Sequence, residues 1–221
     1  MIVNAQEQRA SLNEAGFEML ILCISQIEKA TEAFLTHDSD LAEEVINTET
    51  RVNALDLKIE NDCEKFLALY TPVAIDLRFI MAILKINFDL ERIADHAYGI
   101  SKYIVDQDIK IAPELLKTLE FEKMYKTILS MFDDITAAYE EKEAKFARKV
   151  FKKDKILDKI NANSFAIIED EIKKDASVID QTLLVFSVIK KFERIGDLIK
   201  NVAEEIIFYI DAEVVKHKKI K

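Results

Sequence analysis

The chain has 221 residues, with 31 Lys and Arg against 41 Asp and Glu and a formal net charge of −10. That balance argues against a nucleic-acid binder, which needs a basic face to neutralise phosphates, and suits a cation-binding or protein-binding surface. Half of the residues are hydrophobic and a third are charged, as in a globular chain long enough to bury a sizeable core.

Three glycines and two prolines predict long helices and few turns. The first helical pattern runs from about Ala5 to Thr36, with Phe17, Leu20, Ile24, Ile27 and Phe34 as its apolar stripe. His37-Asp38-Ser39-Asp40 is a polar break that supplies helix-capping side chains. A second helix follows over Leu41–Tyr70, turning Val45, Val52, Leu55, Ile59, Cys63, Phe66 and Leu69 inward. Thr71-Pro72 predicts a sharp boundary, with Thr as cap and Pro as the first residue of a third helix that reaches Asp106. This helix is apolar over most of its circumference, as a central helix should be.

The segment Gln107–Pro113 reads as the boundary between two halves, residues 1–110 and 111–221. Pro113 opens a fourth helix over Glu114–Glu141. Glu140-Glu141-Lys142-Glu143 is the one hint of a turn before a fifth helix that runs to Lys173. Lys174-Asp175-Ala176-Ser177 breaks the chain again, and a sixth helix covers Val178 to Glu213 or beyond. No strand-like alternation interrupts this pattern. The expected fold is all-α, six helices in two tandem three-helix bundles.

The halves are related by a repeat. Glu-Arg-Ile-x-Asp stands at Glu91–Asp95 and again at Glu193–Asp197, 102 residues later. Residues four apart share a helix face, so each pair of carboxylates repels itself and weakens its own helix. On a helical wheel Ile80, Leu84, Phe88 and Tyr98 fall on or near the line of Glu91 and Asp95. The polar arc carries Lys85, Asp89, Arg92, His96 and Tyr103. Glu91 and Asp95 are therefore expected to interrupt an apolar column, where a carboxylate needs pairing, hydrogen bonds or a metal. In the second copy Phe186, Ile189 and Ile207 align with Glu193 and Asp197, but so do Lys200 and Glu204, and an ion-paired arrangement competes there. The preceding helices carry Glu49-x-x-x-Asn53 and Asp154-x-x-x-Asp158. In antiparallel neighbours, Glu49, Asn53, Glu91 and Asp95 would meet at one site, and Asp154, Asp158, Glu193 and Asp197 at another. Bundles build metal sites from facing helices in this way. Carboxylate and amide oxygens suit Mg, Ca, Mn or iron rather than a thiolate metal. Asn53 makes the first site less charged.

These motifs resemble the PhoU family of bacterial phosphate-signalling regulators. The resemblance rests on Pro72-Val-Ala-Ile-Asp-Leu-Arg78, Asp89-Leu-Glu-Arg-Ile-Ala-Asp-His96 and Phe192-Glu-Arg-Ile-Gly-Asp197, together with the six-helix duplication. It implies two three-helix bundles side by side and metal bound through Glu/Asp-x-x-x-Asp pairs. Multinuclear iron or another divalent metal (manganese, zinc or magnesium) would be the cofactor. The pairs map onto Glu49 and Asn53, Glu91 and Asp95, Asp154 and Asp158, Glu193 and Asp197. Asn53 departs from an acidic consensus, and Leu198 replaces the His found at His96. The resemblance also implies a non-enzymatic adaptor between a phosphate ABC transporter and a sensor histidine kinase, restraining uptake and the starvation response when phosphate is plentiful. A homodimer is expected.

Other readings are weaker on the residues. A ferritin-like di-iron enzyme needs Glu-x-x-His on paired helices, yet position 94 is Ala and position 196 is Gly. No Ser/His/Asp or Cys/His set and no Gly-rich phosphate loop suggests a hydrolase, so no catalytic residue is assigned. A metal-free helical adaptor stays open, with Glu91 paired to a neighbouring Arg or Lys. His96 reads as a surface or interhelix residue, Asp76 and Arg78 as salt-bridge or helix-start charges, and Met19, Met81, Met124 and Met131 as core filling. Cys23 and Cys63 form no disulfide framework and read as buried thiols in a reducing compartment. The basic tail Lys216–Lys221 reads as favourable charge at a helix end. No apolar run is long enough to span a bilayer and no basic segment precedes an apolar stretch at the start, so a cytoplasmic protein is expected.

Overall fold

The computed structural model describes residues 4–215; His217 and the basic tail lie outside them. Helices α1 (Ala5–Thr36), α2 (Ser39–Leu69) and α3 (Ala74–Asp106) form the first half. After a short α4 (Pro113–Thr118), helices α5 (Phe121–Glu141), α6 (Ala144–Lys174) and α7 (Ile179–Asp211) form the second, with a 3-10 turn at Ala176–Val178 leading into α7. Among the described residues there is no strand.

Local chemistry sets the ends. Asn4 and Glu7 form a reciprocal capping box that starts α1. His37, in the left-handed region at φ 56°, ends α1, and the Asp38 side chain accepts from the Leu41 N–H to cap α2. Helix α3 begins two residues later than Thr71-Pro72 predicts. Val73 holds the N-cap position with extended backbone and no side-chain cap. The chain reverses between Leu69 and Ala74, leaving the helix at Tyr70 and reaching extended backbone at Val73.

The fourth predicted helix is in fact two. Glu120, at φ 51°, breaks it between α4 and α5. Leu115, Leu119 and Phe121 are all buried. Leu119 and Phe121 would lie nearly opposite each other on a straight helix, at about 100° per residue, so a break is needed to bury both. The turn expected near Glu140–Glu143 is present, with Lys142 left-handed. Ala212, also left-handed, follows the last residue of α7 and ends it short of Glu213.

Side-chain pairs give the directions. Lys29 meets Glu44 and Arg51 meets Glu18, so α1 and α2 are antiparallel. Arg148 meets Asp211 while Lys200 meets Asp154, so α6 and α7 are antiparallel too. The halves join where α1 and α3 pack on α5 and α7. Phe34 stacks on Phe121, which packs in turn on Phe192. Phe79 meets Tyr209 edge-on, and Arg9 donates to the Tyr209 hydroxyl at 2.9 Å while pairing with Asp76.

Most of the expected core is buried, including Leu20, Ile27, Phe34, Val45, Val52, Leu55, Ile59, Cys63 and Phe66. Two expectations are corrected. Leu69 ends α2 beyond the reach of a neighbour and is 71 % exposed, and Met81 is 40 % exposed on the outer face of α3, whereas Met19, Met124 and Met131 are core residues.

One ion pair spans the seam between halves. Glu205 of α7 is buried and receives both its hydrogen bonds from Lys85 of α3, at 3.0 and 3.1 Å. Removing the ammonium leaves a carboxylate in a poorly hydrated seam. Lys85→Met is therefore expected to cost about 1–2 kcal/mol, the exposure of Lys85 discounting the larger penalty of a fully buried pair. Adding Glu205→Gln should recover most of that loss in urea denaturation.

Candidate functional site

Each half brings its predicted acids into one interhelix groove. In the first, Glu49 of α2 lies within hydrogen-bonding reach of Asn53 on its own helix and of Asp95 on α3. Burial and the Asp95 charge raise the Glu49 carboxyl above its ordinary range. Glu91 is half-buried. Burial first, then Asp95, Asp56 and Glu49, push it up to about 7, with Arg92 acting weakly the other way. Glu49 thus links Asn53 and Asp95, and Glu91 lies within range of their charges without a contact among the described residues to join it to them.

Their setting differs from the apolar column the wheel predicts. Ile80 is buried, Leu84 and Glu91 are half-buried, and Asp95 and Phe88 are exposed, Phe88 at 58 %. The reason is packing: α3 buries its other sides against α1, α2 and α7, so this side opens at the mouth of the α2–α3 groove. The acids are thus accessible to a solvated ion. The predicted polar arc is split: Lys85 and Arg92 are exposed as expected, while Asp89 is buried and His96 and Tyr103 are half-buried. Burial, then Lys191, Arg194 and Arg92, hold His96 down to about 4. It lies among cations at the α3–α7 seam, as an interhelix residue.

Asp56 is a member of the first cluster that the four-residue spacing overlooks. It stands seven residues after Glu49, two helical turns along the same face. The buried Asn87 fixes it, donating to Asp56 Oδ1 at 2.6 Å. No sequence signal marks Asn87, which sits in an apolar stretch of α3.

The second cluster is built differently. Asp154 is buried on α6; Glu193 and Asp197 are half-buried on α7, and Asp158 is exposed. Glu193 is raised by burial and by Asp197 and Asp158, with Lys190 and Arg194 lowering it. The four acids again share a neighbourhood. Here, however, the Lys200 ammonium bridges Asp154 Oδ2 at 2.7 Å and Asp197 Oδ1 at 2.5 Å. Burial alone would lower the Lys200 pKa; the bonds to the two aspartates outweigh it and raise it. Gly196 makes room for Leu157 beside this bridge. A Cβ there would stand 2.2 Å from the buried Leu157 side chain and 3.7 Å from Asp154 Oδ1.

The first groove offers carboxylate and amide oxygens without an ion pair among the described residues to Glu49, Glu91 or Asp95. That is the donor chemistry of a hard divalent cation. As the side chains stand, no three His, Cys, Asp or Glu among the described residues converge at metal-binding distance. Repelling acids spread apart, and binding would need them to turn inward. In the second groove an ammonium already holds the central position.

The PhoU domain family matches this chain twice, over residues 17–104 and 121–206. The chain belongs to the PhoU family. Each match encloses one of the two acidic clusters. The phosphate-specific transport system accessory protein PhoU homolog of Aquifex aeolicus is 33 % identical over 210 residues, covering 94 % of this chain and 93 % of that protein. The Escherichia coli K12 protein named phosphate-specific transport system accessory protein PhoU is 28 % identical, over 87 % and 79 % of the two chains. The crystal structure of PhoU from Pseudomonas aeruginosa superposes with a TM-score of 0.89 at 25 % identity, covering 95 % of this chain and all of that one. The phosphate transport system regulatory protein PhoU from Streptococcus pneumoniae gives 0.82 at 27 % identity, covering 96 % of this chain and 100 % of that one. The all-α fold and its internal duplication are those of the family.

Two predictions follow from the clusters themselves. Glu91 binds its proton more tightly folded than unfolded, so its contribution is complete below the ordinary carboxylate range and is lost as pH rises through about 7. In chelator, Glu91→Gln should therefore be more stable than the parent at pH ~8 by about 1 kcal/mol, discounted for solvent screening, and should show no gain at pH ~4. Thermal melts at the two pH values check this. Gly196→Ala should cost about 1–3 kcal/mol by overpacking against Leu157, read by urea denaturation.

Proposed function

We propose that this chain is a non-enzymatic regulator of phosphate transport that works by docking, with a divalent-cation site in its first half. The observation that carries the regulatory reading is the double PhoU match, with relatives in several bacteria named as phosphate-specific transport system accessory proteins. The finer assignments are proposals. The partners are a phosphate ABC transporter and a sensor histidine kinase at the inner face of the membrane. The chain acts negatively on uptake and on the starvation response, in the cytoplasm and as a homodimer. No helix among the described residues is long and apolar enough to cross a membrane, which accords with an accessory role beside a membrane partner.

Glu49, Asn53, Glu91 and Asp95 would hold the cation, with Asp56 adding charge at its edge. A bound divalent ion would supply the positive charge that these acids otherwise have to divide between them. The chain's own residues do the rest. Asn87 keeps Asp56 in place through its amide. The pairs on α2 and α3 set the groove width, so drawing them together would clip the two helices and stiffen the outer face of the first half.

Two measurements test this. Calorimetric titration with Mn2+ should detect binding that Glu91→Gln with Asp95→Asn abolishes, and Asn87→Leu should weaken it about tenfold through the loss of a positioning contact. Heat signals equal in parent and variant would remove the cation site. In cells grown on ample phosphate, deleting the gene should switch on the phosphate-starvation genes. Unchanged expression would remove the regulatory reading, whatever the titration shows.

A further inference from the structure

The two halves neutralise their acids by different means, and the difference traces to one side chain. We propose that Lys200 is a resident cation of the second cluster, standing where a metal would otherwise stand. The second cluster would then clip α6 to α7 without metal, and only the first cluster would respond to divalent ions.

The geometry supports this at three points. The Lys200 ammonium contacts one carboxylate from each helix, Asp154 Oδ2 on α6 at 2.7 Å and Asp197 Oδ1 on α7 at 2.5 Å. It therefore makes the interhelix link that a bridging ion would make, using two of its three donors. The position is walled on the α6 side and open on the Asp197 side, where that side chain stays half-exposed. Asp154 is buried, and Leu157 is fully buried beside it, packed into the space left by the missing side chain of Gly196. A divalent ion entering there must displace the ammonium, yet the lysine stem stays anchored one turn beyond Asp197, leaving two cations in one groove. In the first cluster the nearby cations, Lys191 beside Asp95 and Arg92 beside Glu91, act only through their charge and occupy no position between the acids. The residue 102 positions before Lys200 is Tyr98, which is neutral, and no Lys or Arg pairs with Glu49, Glu91 or Asp95 among the described residues.

Comparing the repeats thus separates their roles. Glu91 and Asp95 align with Glu193 and Asp197, but the charge that completes each site comes from solution in one half and from the chain in the other. The second half would have its helix clip built in, and the first half would acquire its clip only when an ion is available.

The test uses the full chain and Mn2+ alone, read by calorimetric titration and by the paramagnetic signal of bound Mn2+. In the otherwise unaltered chain, Glu193→Gln with Asp197→Asn should leave bound Mn2+ per chain unchanged. Loss of bound Mn2+ in that variant would overturn the proposal. A second arm works in the Glu91→Gln, Asp95→Asn background, which lacks the first cluster. Adding Lys200→Met there should create a saturable Mn2+ site, and adding Asp197→Asn as well should remove it. No Mn2+ gained with Lys200→Met, in a chain whose far-ultraviolet circular dichroism matches the parent, would also overturn the proposal. If Lys200→Met unfolds the chain, recovery of the parent spectrum on adding Mn2+ is the supporting result, and no recovery counts against it. Because this arm omits the first cluster, its outcome is independent of whether that cluster binds metal.

Discussion

Carboxylates gathered between two helices repel one another, and each half of this protein meets that constraint in its own way. Each half turns acids from two antiparallel helices toward one groove. Pairs of acids one turn apart weaken the helix that carries them, so the arrangement persists only because tertiary packing elsewhere holds the helices in place. The apolar sides of α3 and α7 provide that packing. They bury Ile83, Ile86, Leu90, Ile93, Val188, Phe192, Ile195 and Ile199, among others, and leave one side of each helix to carry charge.

The same two helices join the halves. Helix α3 lies against α7, with α1 flanking α5. The seam mixes apolar and polar contacts: Phe79 against Tyr209, Lys85 with Glu205, and His96 among Lys191, Arg194 and Arg92. The first acidic cluster lies between α2 and α3 and the second between α6 and α7, with the Lys191 charge of the seam reaching Asp95. A change in one groove would therefore reach the other through the central helices rather than by direct contact. This is a general property of a duplicated bundle whose central helices each serve two neighbours.

Much of this was legible in the chain itself. Helical periodicity marked every long helix, because apolar stripes of this length arise only where a helix is packed along its whole side. The acidic repeat and its antiparallel partners brought the eight expected residues into two groups, and the structure does place them in two grooves. The break at Glu120 was not legible, since nothing in Leu119-Glu120-Phe121 resembles a turn signal; it arises from the need to bury Leu119 and Phe121 together. The wheel also assigned Glu91 and Asp95 to a buried column. It treats every apolar residue alike and cannot tell that Phe88 is left outside while Asp89 is turned in.

The amino-acid sequence by itself determined the class of fold, the duplication and the identity of the acids, because these depend on periodicity and spacing along one chain. Only the tertiary structure decided how each acidic group is balanced. Lys200 shares a wheel line with Glu193 and Asp197, but that Asp154 of another helix completes the bridge depends on how α6 packs on α7, where Leu157 fills the space at Gly196. Asp56 joins the first group because Asn87, thirty-one residues away, reaches it across the groove. Charge balance in a groove is set by distances between helices, and those distances come from packing that no single segment encodes.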